Sequence, residues 1–390
     1  MYPDTSKRVN SSGRQYAQTR KTCKEPDGTD NKYTDISMLK YCLGATMYMP
    51  GTKDFAQAII DRKHPGLTTM VMCFEDACEE SKVPQAEGNS IHLLDVISEK
   101  MENGELTYKD IPLIFFRVRS VEQFKHFSSM LKPEHIKVIA GFNFPKYNSI
   151  NGKQYLEHLK YLNEKFGEII YGMPIIEDSR VAFKETRMDE LMAVKKIMDE
   201  YKELILNVRV GGTDFSSCFG LRRGIDYTIY DIMTVRDCLM DILNVFTRFN
   251  DYTVSGPVWE YFRANKDMKF KELPEVSLQD TLLKRTTLVN NAVDGLLREL
   301  LLDQANGFMG KTCIHPTHLP YINGMLAVTK DEYLDACQIL EAKGGVLKGS
   351  KGMNEVGPHH RWAEKIVMRA KAYGVVENEQ SYFELFGKEK

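Results

Sequence analysis

A chain of 390 residues, 43% hydrophobic and 27% charged, has the composition of a globular protein and is long enough for one large domain with additions. Its 52 basic and 54 acidic residues are mixed along the chain and leave a formal net charge of −2, so no electrostatic footprint for nucleic acid or anionic lipid stands out. No apolar run approaches the roughly 18 to 20 residues that span a bilayer, and the opening MYPDTSKRVN lacks the apolar stretch of a signal peptide, so no membrane partner and a cytoplasmic location are expected.

Residues 1–40 are polar and poor in large apolar side chains, and read as an arm that orders only against a partner subunit. From there short β-rich apolar runs recur: ATMYMP at 45–50, TTMVMCF at 68–74, PLIFFRV at 112–118, KVIAGFNF at 137–144, IIYGMPII at 169–176, LILNVRV at 204–210, YTVSGP at 252–257 and GFMGKTCI at 307–314. Segments with helical spacing lie between them, such as DELMAVKKIMDEYKEL and DIMTVRDCLMDILNVF. Eight strands alternating with helices predict an α/β fold, a (β/α)₈ TIM barrel over residues 41–320, more than an open doubly wound sheet. Residues 321–390 then form a C-terminal helical extension expected to pack on a neighbouring subunit. The eight cysteines include no Cys-x-x-Cys pair, and Cys42, Cys73 and Cys313 lie in or beside apolar runs, as reduced and mostly buried thiols would.

In such barrels the active site forms where side chains just past the C-terminal strand ends converge. Here Lys53 follows the first run, Glu75 and Asp76 the second, Arg117 and Arg119 end the third, and Lys146 follows the fourth. Glu177 follows the fifth, Asp214 the sixth, and Lys311 with His315 ends the eighth, so seven of eight runs end in charged groups. Scattered helix caps account for Asp178 or Ser179 beside Glu177, but not for the whole series. Two carboxylates on adjacent strands, Glu177 and Asp214, with no His or Cys cluster, make a hard oxygen site of the kind Mg²⁺ favours, with Mn²⁺ as its substitute. An arginine opposite them holds a carboxylate or a developing enolate oxygen. Metal and arginine together suit an aldol- or Claisen-type lyase acting on a small acidic oxo compound.

The series LGATMYMPG, VMCFEDAC, FFRVRS, NFPK, MPIIED, VGGTDF and GFMGKTCIHP, in this order, resembles the HpcH/HpaI aldolase and citrate lyase β-subunit superfamily over about residues 40 to 375. It is most similar to the TIM-barrel C–C bond lyase branch found in bacterial tellurium-resistance and stress gene clusters. The resemblance implies Glu177 and Asp214 as metal ligands, Arg117 as the catalytic arginine on substrate, and Glu75 and Asp76 as catalytic acids supporting metal-bound water and the arginine. It also implies a homo-oligomer, trimer or hexamer, in which a C-terminal acid serves a neighbour's site; Met353-Asn-Glu-Val-Gly-Pro358 makes Glu355 that acid. Gly212 and Thr213 of VGGTDF fall at substrate-binding positions. Where relatives carry an acid, an arginine and an asparagine, this chain has Cys73, Gly44 and Arg119. The added positive charge speaks against CoA and for a phosphorylated or multiply acidic substrate held by Arg119, Lys53, Lys146 and Lys311.

Other local signals are weaker. GFMGKT departs from a phosphate-binding loop because Ala305 stands where its first glycine belongs. His315 and His318 straddle Pro316 and read as a cap or packing pair, and His359 and His360 as surface groups. Two other readings remain at this stage: a phosphoenolpyruvate- or pyruvate-type enzyme or thioesterase on the same barrel, and a non-catalytic metabolite-sensing subunit.

Overall fold

The structure, a computed structural model, describes residues 31–262, 278–285, 287–350 and 352–386. Seven parallel strands form one sheet: β1 (Ala45–Pro50), β2 (Thr69–Cys73), β3 (Leu113–Arg117), β4 (Ile139–Phe144), β5 (Tyr171–Ile176), β6 (Arg209–Val210) and β7 (Lys311–Cys313), in the order β6-β5-β4-β3-β2-β1-β7. The run expected at 252–257 closes the ring between the two edges. Val254 bridges Val208 of the segment before β6, and Gly256 bridges Lys311 of β7. Met309 and Ser255 extend this pairing through N–H···O contacts to Val254 and Val208 of 2.7 and 2.9 Å. The predicted (β/α)₈ barrel is therefore the fold, with one of its eight strands reduced to isolated bridges.

Every residue of β2 to β5 is buried, as parallel strands covered by helices on one side and by the barrel interior on the other require. Outside β2, β3 and β4, Phe74, Phe116 and Phe142 interlock with Phe124 and Phe127 of the helix Val121–Ser129, at ring separations of 4.6–6.5 Å. Such offset and tilted aromatic contacts fix the helix against the sheet beyond what area burial alone supplies.

The arm expected at 1–40 lies outside the described residues except for 31–40, and that portion is docked. The Lys32 ammonium reaches the carbonyl of Ile136 and the carboxylate of Glu168, and Leu39 is fully buried. At the other terminus the helix Leu319–Met325 belongs to the main core. A second, small core begins at Val328 and contains Ala336, Ile339, Ala363, Ile366, Ala370 and Val375. It is built from the helices Lys330–Glu341 and Val356–Tyr373, the short parallel pair β8 (Val328–Thr329) with β11 (Val375–Val376), and the antiparallel hairpin of β9 (Val346–Lys348) with β10 (Met353–Glu355). This extension sits at the N-terminal ends of the strands. Asn323 accepts from the backbone of Ala45, the first residue of β1, and the Tyr373 hydroxyl donates to Tyr41 at 2.6 Å. Among the described residues no helix is long and apolar enough to cross a membrane, and the described cysteines are all free.

Candidate active site

At the opposite, C-terminal ends of β2 to β6, six charged side chains meet. Arg117, the last residue of β3, is 8% exposed, and its Nη2 contacts Glu75 Oε2 at 2.6 Å, Asp76 Oδ2 at 3.0 Å and Glu177 Oε1 at 3.0 Å. Lys146 turns back over this cluster in the left-handed region (φ 46°), a conformation a lysine adopts only when its surroundings impose it. The imposing contacts are its N–H, which donates to Glu177 Oε1 at 2.9 Å, and its ammonium, which pairs with Glu75 and stands 3.6 Å from Asp76 and 3.8 Å from Asp214. Asp178 is the N-cap, accepting from the Arg180 N–H at 3.0 Å. Glu177 is thus free to point inward.

Burial, reinforced by the Asp214 carboxylate, pushes Glu177 up from 4.5 to about 7, against the pull of Arg117 and Lys146. The neighbouring pair separates in the same way. Burial lifts Glu75 above the ordinary carboxylate range, while for Asp76 burial is outweighed by the hydrogen bond to Glu75 and the charges of Arg117 and Lys146, which leave it low.

Glu177 and Asp214 converge on Gly211. A Cβ built there would lie 2.3 Å from Glu177 Oε2 and 3.1 Å from Asp214 Oδ2, so one carboxylate oxygen from each acid flanks the same spot, on the side of Glu177 turned away from Arg117. Two hard anionic oxygens held together, one of them nearly out of solvent, fit a Mg²⁺-type cation, which keeps water and substrate in its remaining positions. No group of three or more His, Cys, Asp or Glu side chains able to hold a metal occurs among the described residues. Gly211→Ala would drive a methyl group into the Glu177 side chain. Overpacking of this kind costs about 1–3 kcal/mol, and the expected result is a loss of Mg²⁺ affinity of about 5- to 150-fold in calorimetric titration with the far-ultraviolet spectrum unchanged.

The sequence from 37 to 375 matches the family described as C–C bond lyase of the TIM-barrel fold. The chain belongs to that family. Among solved structures, the CitE protein of Mycobacterium tuberculosis in complex with magnesium, acetoacetate and coenzyme A aligns at 15% identity with a TM-score of 0.51, covering 85% of this chain and all of the other. The citrate lyase β-subunit of the same organism, complexed with oxaloacetate and magnesium, aligns at 14% identity and TM-score 0.44 over 73% of this chain and 96% of its own. A malate synthase of Haloferax volcanii aligns at 16% identity and TM-score 0.49 over 72% of this chain and 73% of its own. No curated protein is significantly similar in sequence. The family places the chain among carbon–carbon bond lyases of the TIM-barrel fold, and the enzyme reading stands over the sensor reading.

Within this C–C bond lyase, other residues singled out by their position in the sequence fall elsewhere. Lys53 is exposed and makes no ion pair within 4 Å among the described residues. Arg119 folds back as a loop clasp, donating to the carbonyls of Phe74 and Cys78 at 3.3 and 3.2 Å. Gly212 is buried against Pro257, and the Thr213 hydroxyl faces Glu260 at 3.4 Å. Lys311 does not reach the site. Its register partner is Ala45 at the opposite end of the barrel, and its fully buried ammonium bridges Glu299 at 2.9 Å and Asp303 at 2.7 Å. Glu355 is exposed, in a hairpin carried by the extension at that same opposite end, so it cannot serve the site of its own chain. The Cys73 thiol is buried, and burial raises it, as an inert cysteine requires. His315 caps its own turn by accepting from Thr317, and its ring stacks on Phe262 at 4.1 Å.

Three inward-facing residues were not singled out from the sequence: Tyr48 of β1, Asn143 of β4 and Arg209 of β6. The last was visible as the one charged residue inside LILNVRV.

Proposed function

We propose that the protein cleaves, or in reverse forms, a carbon–carbon bond next to the carbonyl of a small acidic oxo compound, with Glu177 and Asp214 holding Mg²⁺. The observation that carries this reading is the convergence of one oxygen from each of these acids at Gly211, beside an arginine buried among carboxylates. A divalent cation at that place supplies Lewis acidity toward the substrate's carbonyl oxygen. Arg117, whose buried Nε has no partner among the described residues, donates to the oxygen that gains charge as the bond breaks. Glu75, Asp76 and Lys146 hold Arg117 in place and keep the local charge near balance before substrate enters. The fold neighbour with the TM-score of 0.51 holds magnesium and acetoacetate, a small oxo acid, which supports the same substrate class here.

The positive charge counted toward a phosphorylated substrate is largely engaged. Arg119 is tied to backbone carbonyls, Lys311 lies at the far end, and Lys146 is paired with Glu75. We therefore favour an oxo acid with carboxylate groups over a phosphorylated one. Cleavage of a hydroxy oxo acid moves two protons: the hydroxyl loses one and the α-carbon gains one. Glu355 of a neighbouring copy takes the hydroxyl proton, which requires an oligomer. Product analysis tests the reading: incubation with Mg²⁺ and a panel of hydroxy oxo acids is expected to yield two carbon fragments from at least one of them, in wild-type protein and not in Asp214→Asn. Phosphoryl transfer or thioester hydrolysis without carbon fragments would replace it with another reaction on the same barrel.

A further inference from the structure

Below the acids, the barrel interior is polar where it would ordinarily be packed with branched aliphatic side chains. Arg209 is 1% exposed and has no carboxylate within ion-pair distance among the described residues. Its Nη1 donates to Thr46 at 2.9 Å and Ser255 at 2.8 Å, and its Nη2 to Thr312 at 2.7 Å, all of them neutral hydroxyls. A cation removed from water and left without an anion is costly, and folds keep one only where a negative charge is available or forms nearby.

The group beside it is Tyr48. Its ring centroid is 5.8 Å from the Arg209 guanidinium carbon, and the Arg209 Nε is buried without a partner among the described residues. From β1 the side chain crosses the interior to β4, where Asn143 Nδ2 donates to the phenol oxygen at 2.7 Å. That contact takes an acceptor position of the oxygen and leaves its own hydrogen for something else. Tyr48 is only partly buried, so solvent or a ligand reaches the side chain.

Two further atoms mark the same place. Arg117 and Asn143 are register partners on β3 and β4, and Arg117 Nε and Asn143 Oδ1 are both buried without a partner among the described residues. Orphaned polar atoms are rare in folded proteins and call for an occupant. A free donor, a free acceptor and a free phenolic hydrogen together describe the floor of a substrate site.

We propose that Tyr48 is the catalytic residue that carries the proton to and from the α-carbon of the bound oxo acid, with Asn143 as the positioning residue that holds its oxygen and Arg209 as the nearby cation that offsets the phenolate. In cleavage the electron pair of the broken carbon–carbon bond passes into the enolate. The enolate carbon then takes the Tyr48 hydrogen, a C–H bond forms, and the phenolate left behind faces Arg209 until solvent returns a proton. In the reverse direction the phenolate removes a C–H proton and the electron pair enters the enolate. No oxidant or other reactant is needed. The inference rests on the enolate reading above and adds the group that handles the α-carbon.

The test uses full-length protein with Mg²⁺ and pyruvate in deuterium oxide, following the methyl signal by proton NMR, together with calorimetric titration of oxalate, a planar mimic of the pyruvate enolate. Wild-type protein is expected to exchange the methyl hydrogens. Tyr48→Phe, which keeps the ring, should slow exchange at least a hundredfold and weaken oxalate about tenfold, in line with loss of a hydrogen bond to a charged group, at unchanged Mg²⁺ affinity. Arg209→Met should slow exchange comparably, with Arg209→Lys recovering part of the rate. Exchange at the wild-type rate in Tyr48→Phe would overturn the assignment, and so would loss of Mg²⁺ affinity in that variant, which would make the phenol a scaffold. Absence of exchange in the wild type would instead remove the enolate reading itself, and the role of Tyr48 with it.

Discussion

Mg²⁺ is expected to bind the wild-type protein with release of a proton near neutral pH, and Glu177→Gln is expected to abolish binding altogether. Glu177 is the reason for both. Its carboxyl is lifted from 4.5 to about 7 by burial first and by Asp214 second, so below neutrality the ion must displace a proton before it can use the oxygen that faces Gly211. Affinity should therefore tighten about tenfold for each pH unit up to about 7 and level off above it. Titrations in buffers of different ionisation enthalpy would read the released proton directly. The same group makes a second, opposite contribution to the metal-free fold. Its folded value lies above its unfolded one, so its favourable contribution is full below about pH 4.5 and is lost as pH rises through about 7, an effect of order 3 kcal/mol. Metal-free protein should melt at a lower temperature at pH 8 than at about pH 5, other groups being equal, and Mg²⁺ should restore more stability at the higher pH. A pH-independent affinity in the wild type, or intact binding in Glu177→Gln, would remove Glu177 from the metal site.

The parts of this architecture that were legible in the sequence are those where one local rule governs. β2 to β5 are buried on both faces, so continuous apolar runs marked them, and the charged residue after each run marked the mouth of the barrel. Glu75, Asp76, Arg117, Lys146, Glu177 and Asp214 come together because they follow consecutive strands and the barrel sums their positions. Register was not legible. GFMGKTCI at 307–314 was one apolar run, but pairing with β1 begins only at Lys311, which places that lysine at the start of a strand and not at its end. Arg119 looked like a second substrate arginine because spacing cannot show whether a guanidinium faces a cavity or its own loop's carbonyls. The trio of Tyr48, Asn143 and Arg209 was hidden for another reason. Its members lie on strands that are not neighbours in the sheet, and only closure of the ring brings β1, β4 and β6 to one point.

Lys311→Met should be among the most destabilising single substitutions in the chain, although the residue is far from the chemistry. Its ammonium is fully buried between the sheet and the helix Asn291–Asn306, and it is the group that compensates Glu299 and Asp303, with Arg223 sharing Glu299 and the Tyr230 hydroxyl donating to Asp303 at 2.6 Å. Removing one member of a buried ionic set leaves the others charged and desolvated, which costs about 3–5 kcal/mol, and urea unfolding should show this as a lowered midpoint at unchanged slope. The cost should depend on pH. Burial already lifts the Asp303 carboxyl above its ordinary range, with Lys311 pulling the other way and Glu299 adding to the rise. Without the lysine that rise grows, and the folded variant takes up a proton that the unfolded chain has released. The gap between wild type and variant should therefore widen as pH rises from about 5 to about 8 and narrow in mild acid. Adding Asp303→Leu should recover part of the loss, because an apolar side chain there no longer needs a counter-charge. A Lys311→Met protein as stable as the wild type at about pH 8 would mean that solvent reaches this cluster, and the lysine would again be free to serve as a ligand-binding group.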